Sequence, residues 1–201
     1  MDPLELIRLQ VTLEYSLNDA GRLVPFPGSS EQRLYIVYRY AGGYIPYFSH
    51  RLPEELCDGL RNLGGEQTFE APQAVLWLIQ KYQPCRFDGR FVSECLLRIP
   101  VPGEFPQVTK QDQHFVILEE GKAVCWAWSE HSNAHCAEVA VETPPDHRRK
   151  GYARQAVAAW AQDVTGSGRV ALYSYKAENL PSQRLAHSLG TSWYADMVCY
   201  S

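Results

Sequence analysis

The stretch that decides the fold is Pro145-Asp146-His147-Arg148-Arg149-Lys150-Gly151-Tyr152-Ala153. Upstream, Ala137 to Thr143 alternates Val139 and Val141 with Glu138, Ala140 and Glu142, the two-residue period of a strand. Downstream, Ala153, Ala156, Val157, Trp160, Ala161 and Val164 fall on one helical stripe. A strand thus runs through a proline bend into a basic, glycine-containing turn that opens an amphipathic helix. The first-turn N–H groups of a helix have no intrahelical acceptor, and the helix dipole places positive potential there. Cations at such a start oppose the dipole, so a turn selected for stability alone would carry Asp or Glu. Arg148, Arg149 and Lys150 make it an anion site instead. Gly151 and Ala153 keep side chains out of the way of a ligand that must touch backbone.

Working outward, His114–Leu118 and Ala123–Trp128 flank Gly121 as a β-hairpin, and Arg169–Tyr175 is a short apolar strand. Asn179 caps a last helix with Pro181 in its first turn, and Gly190 ends it. Trp193–Tyr200 is expected as an edge strand. The order from Gln113 is β-β-β-α-β-α-β. Toward the N-terminus, Arg33–Tyr40 and Tyr44–Ser49 read as two strands about Gly42-Gly43. Pro53–Asn62 and Pro72–Tyr82 read as helices, with Gly64-Gly65 stopping the first. A stretch dense in breakers follows, and a boundary is expected near Pro100–Pro106. The expected division is therefore 1–105, an α/β region on the acceptor side or an extra subdomain, and 106–201.

The chain has 201 residues, 45% hydrophobic and 21% charged, with a net charge of −4, which describes an ordinary globular protein. That charge speaks against a nucleic-acid partner, and no stretch reaches the length of a membrane span. Six cysteines without a Cys-x-x-Cys pair, and no apolar leader after Met1, give an expectation of reduced thiols in a cytoplasmic protein. His131, His135 and Cys136 lie close in sequence, but no metal is expected there. Tyr35, Tyr38, Tyr40, Tyr44, Tyr47, Phe48 and His50 could wall a pocket, although aromatic strands more often supply core.

Arg148-x-x-Gly151-x-Ala153 resembles the Arg/Gln-x-x-Gly-x-Gly/Ala signature of the GNAT superfamily of acyl-CoA N-acyltransferases. Asn179-Leu180-Pro181-Ser182, followed by Leu189-Gly190, is similar to that family's last motif, and one helix and one strand separate the two as the family requires. Val-x-Thr-Pro, Arg-Arg-Lys-Gly-Tyr-Ala and Leu-Tyr-Ser further resemble a bacterial subgroup with a divergent N-terminal half. The resemblance implies a GNAT-type α/β (α+β) fold: a mixed, mostly antiparallel sheet with flanking helices, beside an α/β N-terminal subdomain. It implies acetyl-CoA as cosubstrate, no metal, and a small-molecule primary amine as acceptor, acetylated by direct attack. A homodimer is compatible with it.

The resemblance also distributes roles. Backbone near Val141 and Thr143 would bind the thioester carbonyl in a gap between two splayed strands. Arg148, Arg149, Lys150, Gly151, Tyr152, Ala153 and Arg154 would hold the diphosphate, with Asn179 and Ser182 flanking the rest of the cofactor. Glu138 and Glu142 are the candidate bases for the incoming ammonium. Where many relatives place a general-acid Tyr, this chain has Ala186, so proton return falls to Tyr175, Ser174 or Tyr173, falls to water, or is not needed. The departure motivates a second reading, a CoA-binding sensor or interaction module with little or no catalysis.

Overall fold

The computed structural model describes residues 1–29, 32–96 and 108–201, and the boundary expected near Pro100–Pro106 lies outside them. The chain forms two compact units: Met1–Ser93 with Tyr194–Ser201, and Glu94–Trp193.

The first unit opens with helix α1 (Pro3–Glu14), which sequence inspection passed over. Its signals are present: Asp2 caps the Leu4 N–H at 3.2 Å, Pro3 occupies the first turn, and Leu6, Ile7, Val11 and Leu13 are buried. Strands β1 (Tyr15–Leu17) and β2 (Leu23–Pro25) pair antiparallel. The expected hairpin is β3 (Tyr35–Tyr40) and β4 (Gly43–Phe48), in register from Tyr35↔Phe48 to Tyr40↔Gly43. Helix α2 (Glu54–Leu63) ends at Gly64, whose φ of 81° suits glycine. The pair Gly64-Gly65 is more than a stop, because Gly65 opens helix α3 (Gly65–Glu70). A Cβ on Gly65 would lie 2.3 Å from the Tyr44 side chain, so that helix approaches as closely as it does only with glycine there. Helix α4 (Pro72–Ile79) stops three residues before the expected Tyr82, which is exposed. The N–H groups of Tyr82 and Gln83 both turn back to Ile79 O, and Pro84 follows.

Strand β5 (Phe87–Cys95) crosses the stretch that read as breakers. The C-terminal strand, Ser192–Tyr200 (β11 in chain order), is not an edge strand: it pairs antiparallel with β3 and lies between β3 and β5. An interior strand has both faces covered, which is why Tyr194, Ala195 and the whole run Met197–Tyr200 are buried. Of the aromatic cluster, Tyr35, Tyr38, Tyr47 and Phe48 are buried, Tyr40 and Tyr44 are half-buried and His50 is exposed. Tyr35 stacks on Phe48 at 5.0 Å and on Tyr200 at 5.8 Å, against Leu56, Leu60 and Val75. Burial pushes the Tyr35 phenol up to about 12.

The second unit carries strands β6 (Val108–Gln111), β7 (His114–Glu119), β8 (Lys122–Ser132), β9 (Cys136–Glu142) and β10 (Val170–Lys176), in the sheet order β10-β9-β8-β7-β6. Every pairing is antiparallel except β9 with β10, which is parallel. Helix α5 (Tyr152–Gly166) supplies the crossover between those two, and α6 (Leu180–Leu189) follows β10. The helical stripe read from sequence is the face that α5 buries: Ala156, Val157, Trp160, Ala161 and Val164. Trp160 is 1% exposed, and its indole N–H donates to Ser129 Oγ at 2.9 Å. Trp160→Ala is expected to cost about 3–5 kcal/mol. Urea denaturation of the two proteins checks this, with the midpoint falling at an unchanged slope. The six cysteines are free thiols.

Candidate functional site

The site begins where β9 and β10 part. Their register holds for Val170↔Cys136, Ala171↔Ala137 and Leu172↔Glu138 and then stops, although β9 continues to Glu142 and β10 to Lys176. Two hydrogen bonds fix which way the β9 backbone points. His135 O accepts from Val170 N–H on the β10 side, whereas Cys136 O accepts from Asn133 N–H on the other side. Main-chain groups alternate along a strand, so Val139 and Val141 direct theirs toward β10, beyond the last paired residue. The result is a wedge between two strands with a main-chain donor aimed into it.

Past β9 the chain bends through a 3₁₀ turn at Pro145–His147. Arg149 sits at φ 63° and Gly151 at φ 80°. Left-handed backbone is uncommon outside glycine and clusters at functional loops, and here two such residues curl the chain immediately before α5. Gly151 provides no side-chain cap, and the first turn of α5 contains no acidic residue, so its N–H groups remain available to an external anion. Arg148 Nε donates to Thr143 O at 2.8 Å, closing the loop on itself, and Thr143 Oγ1 donates to Cys125 Sγ. Arg154 Nε donates to Ser188 O at 2.9 Å, tying α5 to α6. Asn179 uses its carbonyl oxygen to cap the Ser182 N–H at 3.2 Å.

These elements enclose a cleft of about 900 Å³. Of the residues named from sequence for the cofactor, Val141, Thr143, Arg148, Arg149, Gly151, Tyr152, Ala153, Arg154, Asn179 and Ser182 line it, together with Glu142. Lys150 does not. Its ammonium lies 3.0 Å from Glu119 Oε1, and the same carboxylate receives the Tyr152 hydroxyl and lies 2.8 Å from His147 Nδ1. Sequence inspection missed Arg184 and Ser188, which share the wall. Their signal was the helical period: Ser188 lies one turn beyond Arg184 on α6. Four guanidinium-bearing residues against the single carboxylate Glu142 give the cleft a positive field, suited to a ligand with several phosphate charges.

The Glu119 cluster has a consequence in acid. The Tyr152 hydroxyl and Lys150 ammonium hold its carboxyl down at about 2, against the ordinary 4.5. A depressed carboxyl stabilises the fold fully above its ordinary value and loses that contribution as pH falls toward about 2. Melting temperatures measured from pH 4.5 downward should therefore fall more steeply in the wild type than in Glu119→Gln. Parallel curves would contradict this.

The candidate bases and acid separate by face. Trp160 of α5 bonds Ser129, which lies opposite Val139, so α5 covers the Val139 face of the sheet. Glu138 and Glu142 point to the other face. Glu138 is 8% exposed and accepts a hydrogen bond from Ser174 Oγ at 2.5 Å, directly beyond the last β9–β10 pair. Glu142 is exposed, on the cleft wall, about 13 Å further along the strand by its four-residue rise. Tyr175 falls on the α5 face and does not join Glu138. Its hydroxyl donates to Glu94 Oε1 at 3.0 Å, and Thr191 Oγ1 bonds the other oxygen of Glu94. Tyr173, on the same face, is raised by burial and held back by its hydrogen bond with Ser182. Ala186 is fully buried.

Residues 106–200 match the family model described as GNAT acetyltransferase. The curated proteins contain no match to this sequence. Among solved structures, a GNAT-family acetyltransferase from Novosphingobium aromaticivorans is 18% identical, with a TM-score of 0.50 over 59% of this chain and 67% of its own. A GCN5-related N-acetyltransferase-like protein from Streptococcus suis is 16% identical, with a TM-score of 0.49 over 88% of this chain and 86% of its own. An acetyltransferase from Salmonella typhimurium, solved with acetyl-CoA, is 21% identical, with a TM-score of 0.37 over 44% of this chain and 62% of its own. With the strand order, the wedge and the loop in place, the family match over residues 106–200 and the Novosphingobium structure show that the chain carries a GNAT-type fold.

Proposed function

We propose that the protein transfers the acetyl group of acetyl-CoA to a primary amine of a small molecule by direct attack. The observation that carries this reading is the wedge between β9 and β10 opening beside a cationic cleft of about 900 Å³ at the start of α5. The fit to CoA rests on three features: left-handed backbone at Arg149 and Gly151, an uncapped helix start, and the arginines of the cleft wall. The Gly151–Arg154 main chain would hold the diphosphate, and Arg148, Arg149 and Arg184 would balance its charge.

In this reading Val141 N–H holds the thioester carbonyl and stabilises the negative charge that grows on its oxygen during attack. Glu138, next to the vertex of the wedge, takes the proton that the acceptor ammonium must lose before its nitrogen can attack. Glu142 sits too far along β9 to serve the same point and instead faces the cofactor side of the wall. Proton return to the departing thiolate comes from the helix face of β10, where Tyr173 stands, because Tyr175 already gives its hydroxyl proton to Glu94. Buried Ala186, standing where relatives carry a tyrosine, favours the second reading of a CoA-binding module without catalysis.

Thiol release from acetyl-CoA, followed across a panel of small amines, separates the two. Turnover with at least one amine supports transfer. Acetyl-CoA binding without turnover on any amine supports the non-catalytic module, and neither binding nor turnover removes both.

A further inference from the structure

The geometry points to Ser174 as the residue that positions the Glu138 carboxylate for proton abstraction, an inference that rests on the acetyl-transfer reading above. Ser174 lies on β10 two residues past Leu172, and Leu172 is the last β10 residue in register with β9. Its Oγ nevertheless donates to Glu138 Oε1 on β9 at 2.5 Å. Where the backbone ladder has ended, a side chain therefore spans the first step of the wedge. The bond stands at the vertex, on the face away from α5.

A buried carboxylate on a strand has several rotamers open to it, and a proton acceptor must be held within a few tenths of an ångström of its task. Main-chain hydrogen bonds cannot impose that here, because they fix the strand and not the side chain. A hydroxyl has one proton to give, and giving it to Oε1 fixes the carboxylate plane relative to β10. Charge-assisted bonds of this kind are short and about twice as strong as neutral ones. Ser174 itself touches neither the thioester nor the proton in flight. It acts through Glu138.

The experiment is a double-mutant cycle on the full chain, using the best amine of the panel. Ser174→Ala should lower kcat about ten- to hundredfold, the worth of one hydrogen bond to a charged group, while the KM for acetyl-CoA stays within about twofold. Ser174→Thr, which keeps the hydroxyl, should recover most of the rate. In a Glu138→Gln background, Ser174→Ala should add almost nothing, because the two act as one unit. Full activity in Ser174→Ala, or losses that multiply in the double mutant, would overturn the positioning role while leaving acetyl transfer standing. Wild-type protein without turnover on any amine would overturn both. Melting temperatures of all variants are measured alongside, and a Ser174→Ala loss that tracks melting temperature and is not recovered by Ser174→Thr also counts against the inference.

Discussion

Glu138→Gln is expected to lower kcat by about 10²–10⁴, the range that a positioned acid or base contributes. The substitution keeps the shape of the side chain and a hydrogen-bond acceptor for Ser174, so the fold and the wedge persist. What disappears is a group able to take a proton from an ammonium. Because Glu138 stands on the face away from α5 and off the cleft wall, acetyl-CoA affinity should hardly change. The loss should then appear in kcat with little change in KM for the cofactor, the signature of an interaction made in the transition state. The same substitution at Glu142 should be far milder, since that carboxylate is exposed and lies further along the strand. Initial-rate kinetics on both variants check this. Equal losses at the two glutamates would remove Glu138 from its assigned place.

Gly151→Glu is expected to weaken CoA binding about a hundredfold or more, near 2.7 kcal/mol. Two effects add. At φ 80° a side-chain-bearing residue sits in left-handed backbone, at a cost of about 1–3 kcal/mol. A Cβ at Gly151 would meet nothing within 4 Å, so packing does not require glycine there. The backbone angle and the approach of a ligand do. The new carboxylate would also project at the mouth of an anion site, repelling the phosphates that the loop is built to hold. The protection that acetyl-CoA gives against thermal unfolding measures it: several degrees for the wild type at saturating ligand, close to none for the variant. Gly151→Ala keeps the angle problem and omits the charge, so it should fall between them.

The loop and its helix were legible in sequence because their causes are local. The 3.6-residue stripe from Ala156 to Val164 is the buried face of α5, its first member Ala153 lies instead on the cleft wall, and Asn179 and Gly190 bound α6 as caps should. The cleft wall follows from those elements, since nearly every residue named for the cofactor sits on the loop or a helix start that borders it. Other features were hidden because their causes are not local. Strand β5 alternates Phe87, Phe91 and Cys95 with Asp88, Arg90 and Glu94, but Gly89 interrupts the pattern and Pro84 precedes it, so the stretch reads as a breaker region. The interior place of Ser192–Tyr200 depends on pairing with β3, more than 150 residues earlier in the chain, and on nothing in its own pattern. Lys150 reads as a phosphate ligand until Glu119, across the β7–β8 hairpin, takes its charge. Tyr175 reads as a free acid until Glu94, 81 residues away, accepts its hydroxyl. In each case a long-range contact decides the role of a residue whose type alone is ambiguous.

The most direct test of the central claim is calorimetric titration of CoA into purified, cofactor-free protein at two salt concentrations. A cleft walled by arginines beneath an uncapped helix start should give one binding site, with affinity that falls as salt rises. Absence of binding heat at any temperature, or an affinity indifferent to salt, would contradict the assignment of this cleft to CoA.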